Sequence, residues 1–387
     1  MNAEPLAREQ GAVDASGRAL TVRRLELRDF RNYRQLTLWP RAGPIVLHGD
    51  NGAGKTNLLE AVSMLSPGRG LRSAKLAELD RAEGGNWHLR ADIDSPLGLV
   101  EIETAHDRST DRRGVSADGR ALRGQNALGE FVSLLWLTPA MDRLFAESAS
   151  GRRRFLDRLV LVLDPDHAAR VAGFERALRE RSHLLRAGRR DQAWLKAVEL
   201  RVAEAAVAVT AARRELVIEL DAELARAQLP FPRPRLTLAG EVERWLETQP
   251  AVEVEHRLLD ALAAGRDDDA VSGGSSVGPN RSDLVAVDGL HGEAAARCST
   301  GRQKAYLISI VLAEARLRLR RHGNLPILLL DEVTAHLDPR RRIELLTALV
   351  DLGAQTWLTG TEARLFAPLL AASHVFHVVN GALTPHD

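Results

Sequence analysis

Cysteine, aromatic residues and long apolar runs are scarce in this chain of 387 residues. Its single cysteine, Cys298, excludes an intramolecular disulfide and a four-cysteine metal site, and it suits the reducing cytoplasm. No run approaches the roughly 18 uncharged apolar residues of a membrane-spanning helix, and no secretory signal is visible. Charge of one sign is also lacking, since 53 basic and 52 acidic side chains leave a net charge of +1. Contact with a polyanion would therefore need a local basic patch.

Apolar residues make up 45% of the chain, which is enough for one large core and a smaller unit. In residues 21–150 and 281–387, strand-like runs alternate with runs of helical periodicity. This pattern predicts an α/β fold with a mixed or parallel sheet. Residues 151–265 contain few β-branched clusters and are predicted to be mainly helical. The predicted fold is thus an α/β head in two lobes, interrupted by a helical second domain.

Three shorter segments complete the predicted organisation. Residues 1–20 are rich in Ala, Gly and charge, and we interpret them as a disordered N-terminal extension. A break at Ala187–Arg190, between two long amphipathic runs, predicts an antiparallel helical hairpin in the second domain. Residues 266–280 contain three consecutive aspartates and Gly-Gly-Ser-Ser, which predicts a flexible surface linker before the second lobe.

Residues 49–56 read Gly-Asp-Asn-Gly-Ala-Gly-Lys-Thr and stand between a strand-like run and a helical run. This is the context of a phosphate-binding loop, whose glycines let backbone N–H groups and a helix N-terminus approach phosphates. Lys55 adds a positive charge, and the Thr56 hydroxyl is expected to bind Mg²⁺. The alternative is a glycine turn with an incidental lysine. The predicted ATP-binding residues are Gly49, Asp50, Asn51, Gly52, Ala53, Gly54, Lys55 and Thr56.

Asp331 and Glu332 follow four apolar residues, so they are expected at the carboxyl end of a buried strand, where open α/β sheets bind ligands. Asp331 would hold Mg²⁺ through a water, and Glu332 would orient and deprotonate the attacking water. Such a pair alone also fits a helix N-cap. About 275 residues separate it from Lys55, so the two ends of the chain would form one site.

A third motif, Cys298–Lys304 (CSTGRQK), directly precedes an apolar helical run. Taken alone, Ser299 and Gly301 fit an ordinary helix N-cap with a turn glycine. Their position shortly before Asp331 resembles the signature motif of ABC-type ATPases, and Asp338 stands where those proteins have a D-loop. The resemblance implies an ATP-dependent homodimer with two sandwiched ATP molecules, in which Ser299, Gly301 and Asp338 meet the nucleotide of the other copy. The candidate catalytic residues are Lys55, Glu332 and Ser299.

Three further stretches narrow the resemblance: Leu27–Tyr33 (LRDFRNY), Gly151–Asp157 (GRRRFLD) and Gly278–Leu284 (GPNRSDL). Together with the motifs above, they resemble the RecF family of SMC-like, ABC-type ATPases from Val22 to about Val379. This resemblance implies a DNA-binding clamp that acts on single-stranded or gapped DNA in recombinational repair, replication-fork maintenance and SOS induction. It also implies slow, DNA-stimulated hydrolysis of ATP and the partner proteins RecO and RecR.

Some positions depart from that pattern or allow two interpretations. Arg302 stands where most members have Glu or Gln, and the strand before Pro139 supplies no glutamine for Mg²⁺. Thr361 occupies a place where RecF-like proteins commonly have threonine or serine, so it is a candidate γ-phosphate sensor. Arg31 and Asn32 either reach the nucleotide or lie in a solvated turn.

The segment Gly151–Arg190 holds 11 arginines and 5 acidic residues, although the whole chain is nearly balanced. This excess predicts a surface for DNA phosphates, and the few aromatic residues disfavour base stacking. One alternative is a solvated helix face with internal pairs, such as Arg176 with Glu180. Another is that Arg152–Arg154 brace the two domains.

The soluble ATPase subunit of a membrane transporter is a second class of protein with the same nucleotide motifs. Such a subunit predicts a much shorter gap than the roughly 240 residues that separate Lys55 from Ser299 here. A chromosome-organising ATPase would need a far longer coil between its motifs. A nucleotide-binding scaffold without turnover would not need Glu332.

Overall fold

A computed structural model describes residues 19–95, 98–188, 191–227 and 229–385. The predicted N-terminal extension therefore lies outside the described residues, apart from Ala19 and Leu20. Leu20 is buried, and its amide donates a hydrogen bond to Leu325 O at 3.0 Å. These two residues pack on the head, so at least the end of the predicted extension is part of the fold.

The secondary structure alternates as the sequence patterns predict, with a long helical block in the middle. The strands are β1 (Thr21–Phe30), β2 (Tyr33–Leu38), β3 (Pro44–His48), β4 (His88–Ser95), β5 (Gly98–Asp107), β6 (Arg112–Ala117), β7 (Arg120–Ala121), β8 (Leu134–Leu137), β9 (Pro234–Ala239), β10 (Asp283–Asp288), β11 (Ile327–Leu330), β12 (Thr356–Gly360), β13 (His374–Val379) and β14 (Ala382–Pro385). The helices are α1 (Lys55–Ser63), α2 (Leu76–Leu79), α3 (Ala149–Leu163), α4 (His167–Arg186), α5 (Gln192–Arg226), α6 (Glu241–Thr248), α7 (Ala251–Ala264), α8 (Arg266–Ser272), α9 (Thr300–His322) and α10 (Pro339–Leu352). Within the described ranges, none of them is long and apolar enough to cross a membrane.

The sheet that carries the predicted motifs has the strand order β14-β13-β3-β12-β11-β8. All neighbours are parallel except β14, which returns antiparallel along β13. β3, β8 and β11 are buried at every residue, as expected for parallel strands with both faces covered. Because β3 and β11 run in the same direction, the turns that follow them lie at one edge of the sheet. This edge brings residues 49–56 to Asp331 and Glu332.

A second sheet, of order β2-β1-β4-β5-β6-β7, is antiparallel throughout. More and less buried residues alternate along β4 and β5, so one face of this sheet packs inward. Its side chains, such as Leu25 and Ile102, share one hydrophobic core with Leu58 of α1 and Leu329 of β11. The helix after the phosphate loop is thus held between two sheets, which confirms the predicted α/β head.

The helical block contains the predicted antiparallel hairpin, formed by α4 and α5. Arg181 pairs with Glu199 at 3.0 Å and Arg201 with Glu180 at 2.9 Å, which is the register of antiparallel helices. α5 continues past the hairpin and packs on α9 of the head. The helical block is therefore joined to the head along a helix as well as through its two chain connections.

The amphipathic run before the predicted break at Ala187–Arg190 is divided between α3 and α4. The break lies at Asp164–Asp166, around Pro165. A proline disfavours helical backbone at the preceding residue, so α3 ends before it. The amphipathic pattern predicts one continuous helix here, but Pro165 separates two helices.

The predicted flexible linker at residues 266–280 is wrong. Residues Arg266–Ser272 form α8, whose three aspartates lie in its first turn, where negative charge is favourable. Asp269 is only 2% exposed and accepts a hydrogen bond from Arg181 at 2.7 Å. Beyond α8, Ser275 and Val277 are also buried. Asp269 of the acidic run is thus a buried ion-pair partner of the hairpin, whereas Asp267 and Asp268 are exposed on the same helix.

At the C-terminal end, residues Ala363–Phe366 and Leu370–Ala372 form two short 3₁₀ turns before β13. β14 then follows β13 in a hairpin whose turn is made by Asn380 and Gly381, both with positive φ. The backbone amide of Gly381 donates to Ala53 O at 2.9 Å, so this hairpin supports the phosphate loop.

Candidate nucleotide-binding site

At two positions of the loop at residues 49–56, neighbouring atoms leave no room for any residue larger than glycine. Gly49 has φ of 146°, and a Cβ there would lie 2.3 Å from Val378 O. Gly54 has φ of 119°, and a Cβ there would lie 2.5 Å from the Asn32 side chain. Both positions combine a left-handed backbone with a lack of space, so only glycine fits without strain.

Lys55 lies inside the curve of this loop and is 5% exposed. Its Nζ donates to Gly49 O at 2.7 Å and to Asp50 O at 2.8 Å. Burial lowers the pKa of Lys55, against the opposing charges of Glu332, Asp331 and Asp50. The loop therefore holds a cation whose direct hydrogen-bond partners are neutral carbonyl groups.

Thr56 and Asp331 meet although 275 positions separate them in the sequence. Thr56 Oγ1 donates to Asp331 Oδ1 at 2.9 Å, and Asp331 is 6% exposed. Two adjacent hard oxygen donors of this kind suit Mg²⁺, which keeps waters and phosphate oxygens as its other ligands. Among the described residues, no group of three or more His, Cys, Asp or Glu side chains could hold a metal by itself. A metal at this corner would therefore need the phosphates of a nucleotide.

Glu332 follows Asp331 in a left-handed conformation with φ of 48°, which is uncommon for a residue with a side chain. Its amide donates to Thr359 Oγ1 at 2.8 Å. Strain held at such a position is typical of functional sites.

Thr359 is the site residue that the sequence interpretation missed, because Thr361 was chosen as the candidate at this point. Thr359 Oγ1 donates to Asp331 Oδ1 at 2.8 Å and accepts from the Glu332 amide, whereas Thr361 is exposed. β11 and β12 are parallel, with Leu330 opposite Leu358. Counting one residue further along both strands would have placed Thr359 beside Asp331.

Of the two candidate residues in the turn between β1 and β2, Asn32 contacts the phosphate loop and Arg31 does not. Asn32 Nδ2 donates to Ala53 O at 3.2 Å, and Tyr33 OH donates to Gly54 O at 3.0 Å. Arg31 instead pairs with the buried carboxylate of Glu60 at 2.9 Å. Asn32 and Arg31 therefore both contact other parts of the protein and do not lie free in solvent. Asn32 contacts the phosphate loop, whereas the contacts of Arg31 hold it to α1.

The signature residues lie at exposed ends of two helices. Ser299 caps the N-terminus of α9 without a side-chain hydrogen bond to it, and it is exposed. Asp338 caps α10, where its side chain accepts from the Arg341 amide at 2.9 Å, and it is also exposed. A Cβ on Gly301 would approach Arg341 Nη1 to 3.8 Å, so the two helix ends are neighbours.

Lys304 connects the signature helix to the acidic turn. Its Nζ donates to Ala335 O at 2.9 Å, to Glu332 O at 3.3 Å and to Asp142 Oδ2 at 3.2 Å. These bonds hold the backbone after Glu332 to α9 and to the turn after β8. The motif was predicted from the sequence, but this role of its lysine was not.

Arg302, the departure from the family pattern, is held by Asp288 at the end of β10. The pair is 2.8 Å long, and Asp288 is 2% exposed. Burial acts to raise the pKa of Asp288, but hydrogen bonds from Tyr306 and from two backbone amides, with the charge of Arg302, hold it at about 2. Arg302 is therefore fixed by its own chain at the start of α9.

Most of the arginines proposed to contact DNA are engaged by the protein. Arg152 pairs with Asp283 at 2.6 Å, which connects α3 to β10 and supports the bracing alternative for this residue. The predicted pair of Arg176 with Glu180 is wrong, because Glu180 pairs with Arg201. Arg154 and Arg176 are exposed and have no carboxylate within 4.0 Å among the described residues. Arg189 and Arg190 lie outside the described residues.

The fold and the site define an ABC-type ATPase head. Two solved structures described as the recombination mediator protein RecF in the RecFOR pathway match with TM-scores of 0.84 and 0.81, each at 21% identity. The matches cover 96% and 95% of this chain and 99% and 100% of those chains. A solved Smc head, bound to a domain of ScpA, matches with a TM-score of 0.52 at 15% identity, over 94% of this chain and 96% of its own. These likenesses confirm the fold.

Sequence relatives then give the family. The family described as RecF/RecN/SMC N terminal domain matches residues 21–384. A protein named DNA replication and repair protein RecF, from Mesorhizobium japonicum, is 45% identical over 95% of this chain and 98% of its own. Its namesake from Agrobacterium fabrum is 43% identical over 94% of this chain and 98% of its own. The chain belongs to the RecF family, as its motifs predict, and the transporter alternative is not favoured.

Proposed function

We propose that the protein is an ATP-dependent DNA-binding clamp that acts in recombinational repair of gapped DNA. The observation that carries this proposal is the contact of Thr56 with Asp331, because it joins the phosphate loop to the acidic turn in one corner. The names of the relatives supply the connection to replication and repair. Roles in fork maintenance and SOS induction, with RecO and RecR as partners, belong to the same proposal.

ATP would lie in the loop of residues 49–56, with its phosphates over Lys55 and the N-terminus of α1. Mg²⁺ would be held by Thr56 and by Asp331, directly or through water. The bound ion would neutralise charge on the β- and γ-phosphates. Lys55 would exchange its bonds to Gly49 O and Asp50 O for phosphate oxygens, a change favoured because those carbonyls are neutral.

Hydrolysis would require Glu332 to orient and deprotonate a water in line with the γ-phosphate. Thr359 supports this role, since one hydroxyl positions both the Asp331 carboxylate and the Glu332 backbone. A second copy would complete the site through Ser299, Gly301 and Asp338. The exposed Ser299 lacks a capping bond within its own helix, so the free N-terminus of α9 is suited to an anion from outside.

The test is ATP hydrolysis measured with and without gapped duplex DNA. The wild-type protein is expected to hydrolyse ATP slowly and faster with DNA. Lys55→Ala should lower both rates by about 10²-fold or more, because it removes charge at the transferred phosphoryl group. A matched control is Lys75→Ala, at an exposed lysine outside the loop, which should change neither rate. Hydrolysis that ignores DNA would contradict the clamp.

A further inference from the structure

A cavity of about 720 Å³ lies beside the nucleotide corner, between the loop after α1, the turn after β8 and helices α3 and α4. Thr56 and Asp331 line one end of it, whereas residues 49–55 do not. Its size is typical of sites for small molecules. The cavity therefore adjoins the proposed ATP site and shares Thr56 and Asp331 with it, but the rest of its lining lies outside that site.

Arg158 of α3 lines this cavity without a compensating anion. Its guanidinium lies 4.5 Å from the centroid of the Trp136 ring and 5.6 Å from that of Phe155. The hydrogen bond recorded for it is a weak one, from Nη2 to Met141 Sδ at 3.6 Å. Among the described residues, no carboxylate lies within 4.0 Å, and burial lowers the pKa of Arg158 to about 9.

Two buried arginines in the described part of the chain show how such a charge is compensated. Arg181 pairs with Glu199 and Asp269, and Arg213 pairs with Asp157. A desolvated cation without a partner lowers stability, so proteins compensate such charges or use them. A guanidinium stacked on an aromatic ring keeps its planar fork of N–H groups free for a carboxylate or phosphate.

A second unpartnered group lines the same cavity. Trp136 Nε1 is buried, has no hydrogen-bond partner in the described part of the chain, and belongs to a residue that is 7% exposed. An indole N–H can only donate, so its missing partner is an acceptor. Trp136 thus lacks an acceptor beside an arginine that lacks an anion.

The acidic residues of the cavity do not supply that anion. Asp157 is engaged by Arg213 and His167, and Glu175 pairs with Arg179 at 3.6 Å. Asp331 accepts from Thr56 and Thr359. Glu147 is exposed at the rim together with Arg69 and Arg154, whereas Arg72 is paired with Glu60 at 3.3 Å. The rest of the lining includes the apolar side chains of Met141, Leu144, Leu161 and Val171. The cavity combines a positive rim with an apolar wall.

We propose that this cavity is a second ligand site, which takes a small amphiphilic anion. A carboxylate or phosphate group lies against Arg158, whose guanidinium is held on the Trp136 ring, and an apolar body covers Met141, Leu144 and Val171. The site meets the phosphate loop at Thr56, and it does not depend on the function proposed above.

The probe for this site is 8-anilinonaphthalene-1-sulfonate, an aromatic anion whose fluorescence rises on binding. ADP with Mg²⁺ is kept saturating so that the phosphate loop is occupied. Wild-type protein should bind the probe saturably, Arg158→Leu should bind it at least about tenfold more weakly, and the exposed control Arg176→Gln should match wild type. Displacement by octanoate would assign a carboxylate ligand, and displacement by inorganic pyrophosphate a phosphate ligand.

Equal binding by Arg158→Leu and wild type, or displacement by neither competitor, would overturn the proposal. Thermal unfolding separates ligand binding from folding. Without ligand, Arg158→Leu should unfold at or above the wild-type temperature, because it removes an uncompensated charge. The effective competitor should raise the unfolding temperature of wild type and leave that of Arg158→Leu unchanged. If the variant unfolds well below wild type without ligand, Arg158 is a structural residue and the proposal is wrong.

Discussion

The nucleotide corner and the helical hairpin are both built around charged side chains, but the partners of those charges differ. In the corner, Lys55 bonds to two backbone carbonyls and Asp331 to two hydroxyls. In the hairpin, Arg181 bonds to two carboxylates and is 0% exposed. A charge with neutral partners can still meet a ligand of opposite sign, whereas a charge already compensated serves the fold.

Because of this difference, the number of arginines in a segment does not show whether the segment binds a ligand. The partners of each arginine in the folded chain do. The segment from Gly151 to Arg190 was the most basic part of the sequence, yet several of its arginines pair inside the protein. Arg158, in the same segment, is enclosed by aromatic rings, and its recorded hydrogen bond goes to Met141 Sδ and not to a carboxylate.

Replacing Glu332 tests the corner as a site of chemistry. Glu332→Gln keeps the shape but removes the base, so kcat for ATP hydrolysis should fall by about 10²–10⁴-fold. ATP binding should be retained, as measured by equilibrium binding of a fluorescent ATP analogue. The control Glu362→Gln, at an exposed residue paired with Arg364, should be unchanged. If kcat falls by threefold or less in Glu332→Gln, Glu332 is not the catalytic base.

Replacing Arg181 tests the hairpin as a structural unit. Arg181→Met leaves Glu199 and Asp269 buried with less compensation, which should lower the free energy of unfolding by about 3–5 kcal/mol in urea. The matched control is Arg179→Met, which breaks an exposed pair with Glu175 and should cost less than about 1 kcal/mol. Equal losses in the two variants would mean that burial does not distinguish these pairs.

Glu314, at the centre of α9, sharpens the comparison because it is a buried acid without hydrogen-bond partners for either oxygen in the described chain. Burial raises its pKa to about 8. The folded state then keeps a proton that the unfolded state releases above about pH 4.3, so stability should fall as pH rises from about 5 to 8.

Glu314→Gln should remove this dependence. Its stability relative to wild type should increase by up to about 1.4 kcal/mol per pH unit in that window and stay constant above it. Urea unfolding at several pH values measures the difference. A constant difference across the window would mean that Glu314 does not keep its proton in the folded protein.

Thr359 provides the smallest test, at the contact between the two acidic residues and β12. Thr359→Ala removes a donor to Asp331 and leaves the Glu332 amide without its acceptor, which should lower stability by about 1–2 kcal/mol. The rate of ATP hydrolysis should also fall. Thr361→Ala, at the exposed residue first chosen as a sensor, should have little effect on stability. The opposite ranking would restore Thr361 as the important threonine.

The sequence was sufficient for the α/β head and for the corner of the site, because continuous apolar strands precede both functional turns. β3 and β11 end directly before Gly49 and Asp331, as these runs predict. The errors came from charged segments whose partners are distant in sequence. Residues 266–280 were predicted as a linker because the pairing of Asp269 with Arg181 spans 88 positions. Local composition does not contain that information.

We propose that a second copy of the chain completes the ATP site through Ser299. Light scattering of Glu332→Gln with ATP and Mg²⁺ tests it most directly, because slow hydrolysis keeps ATP in place. The account predicts twice the mass of the chain with ATP, the mass of one chain without it, and one chain in both conditions when Ser299→Arg is added. The same mass with and without ATP in Glu332→Gln would contradict the account.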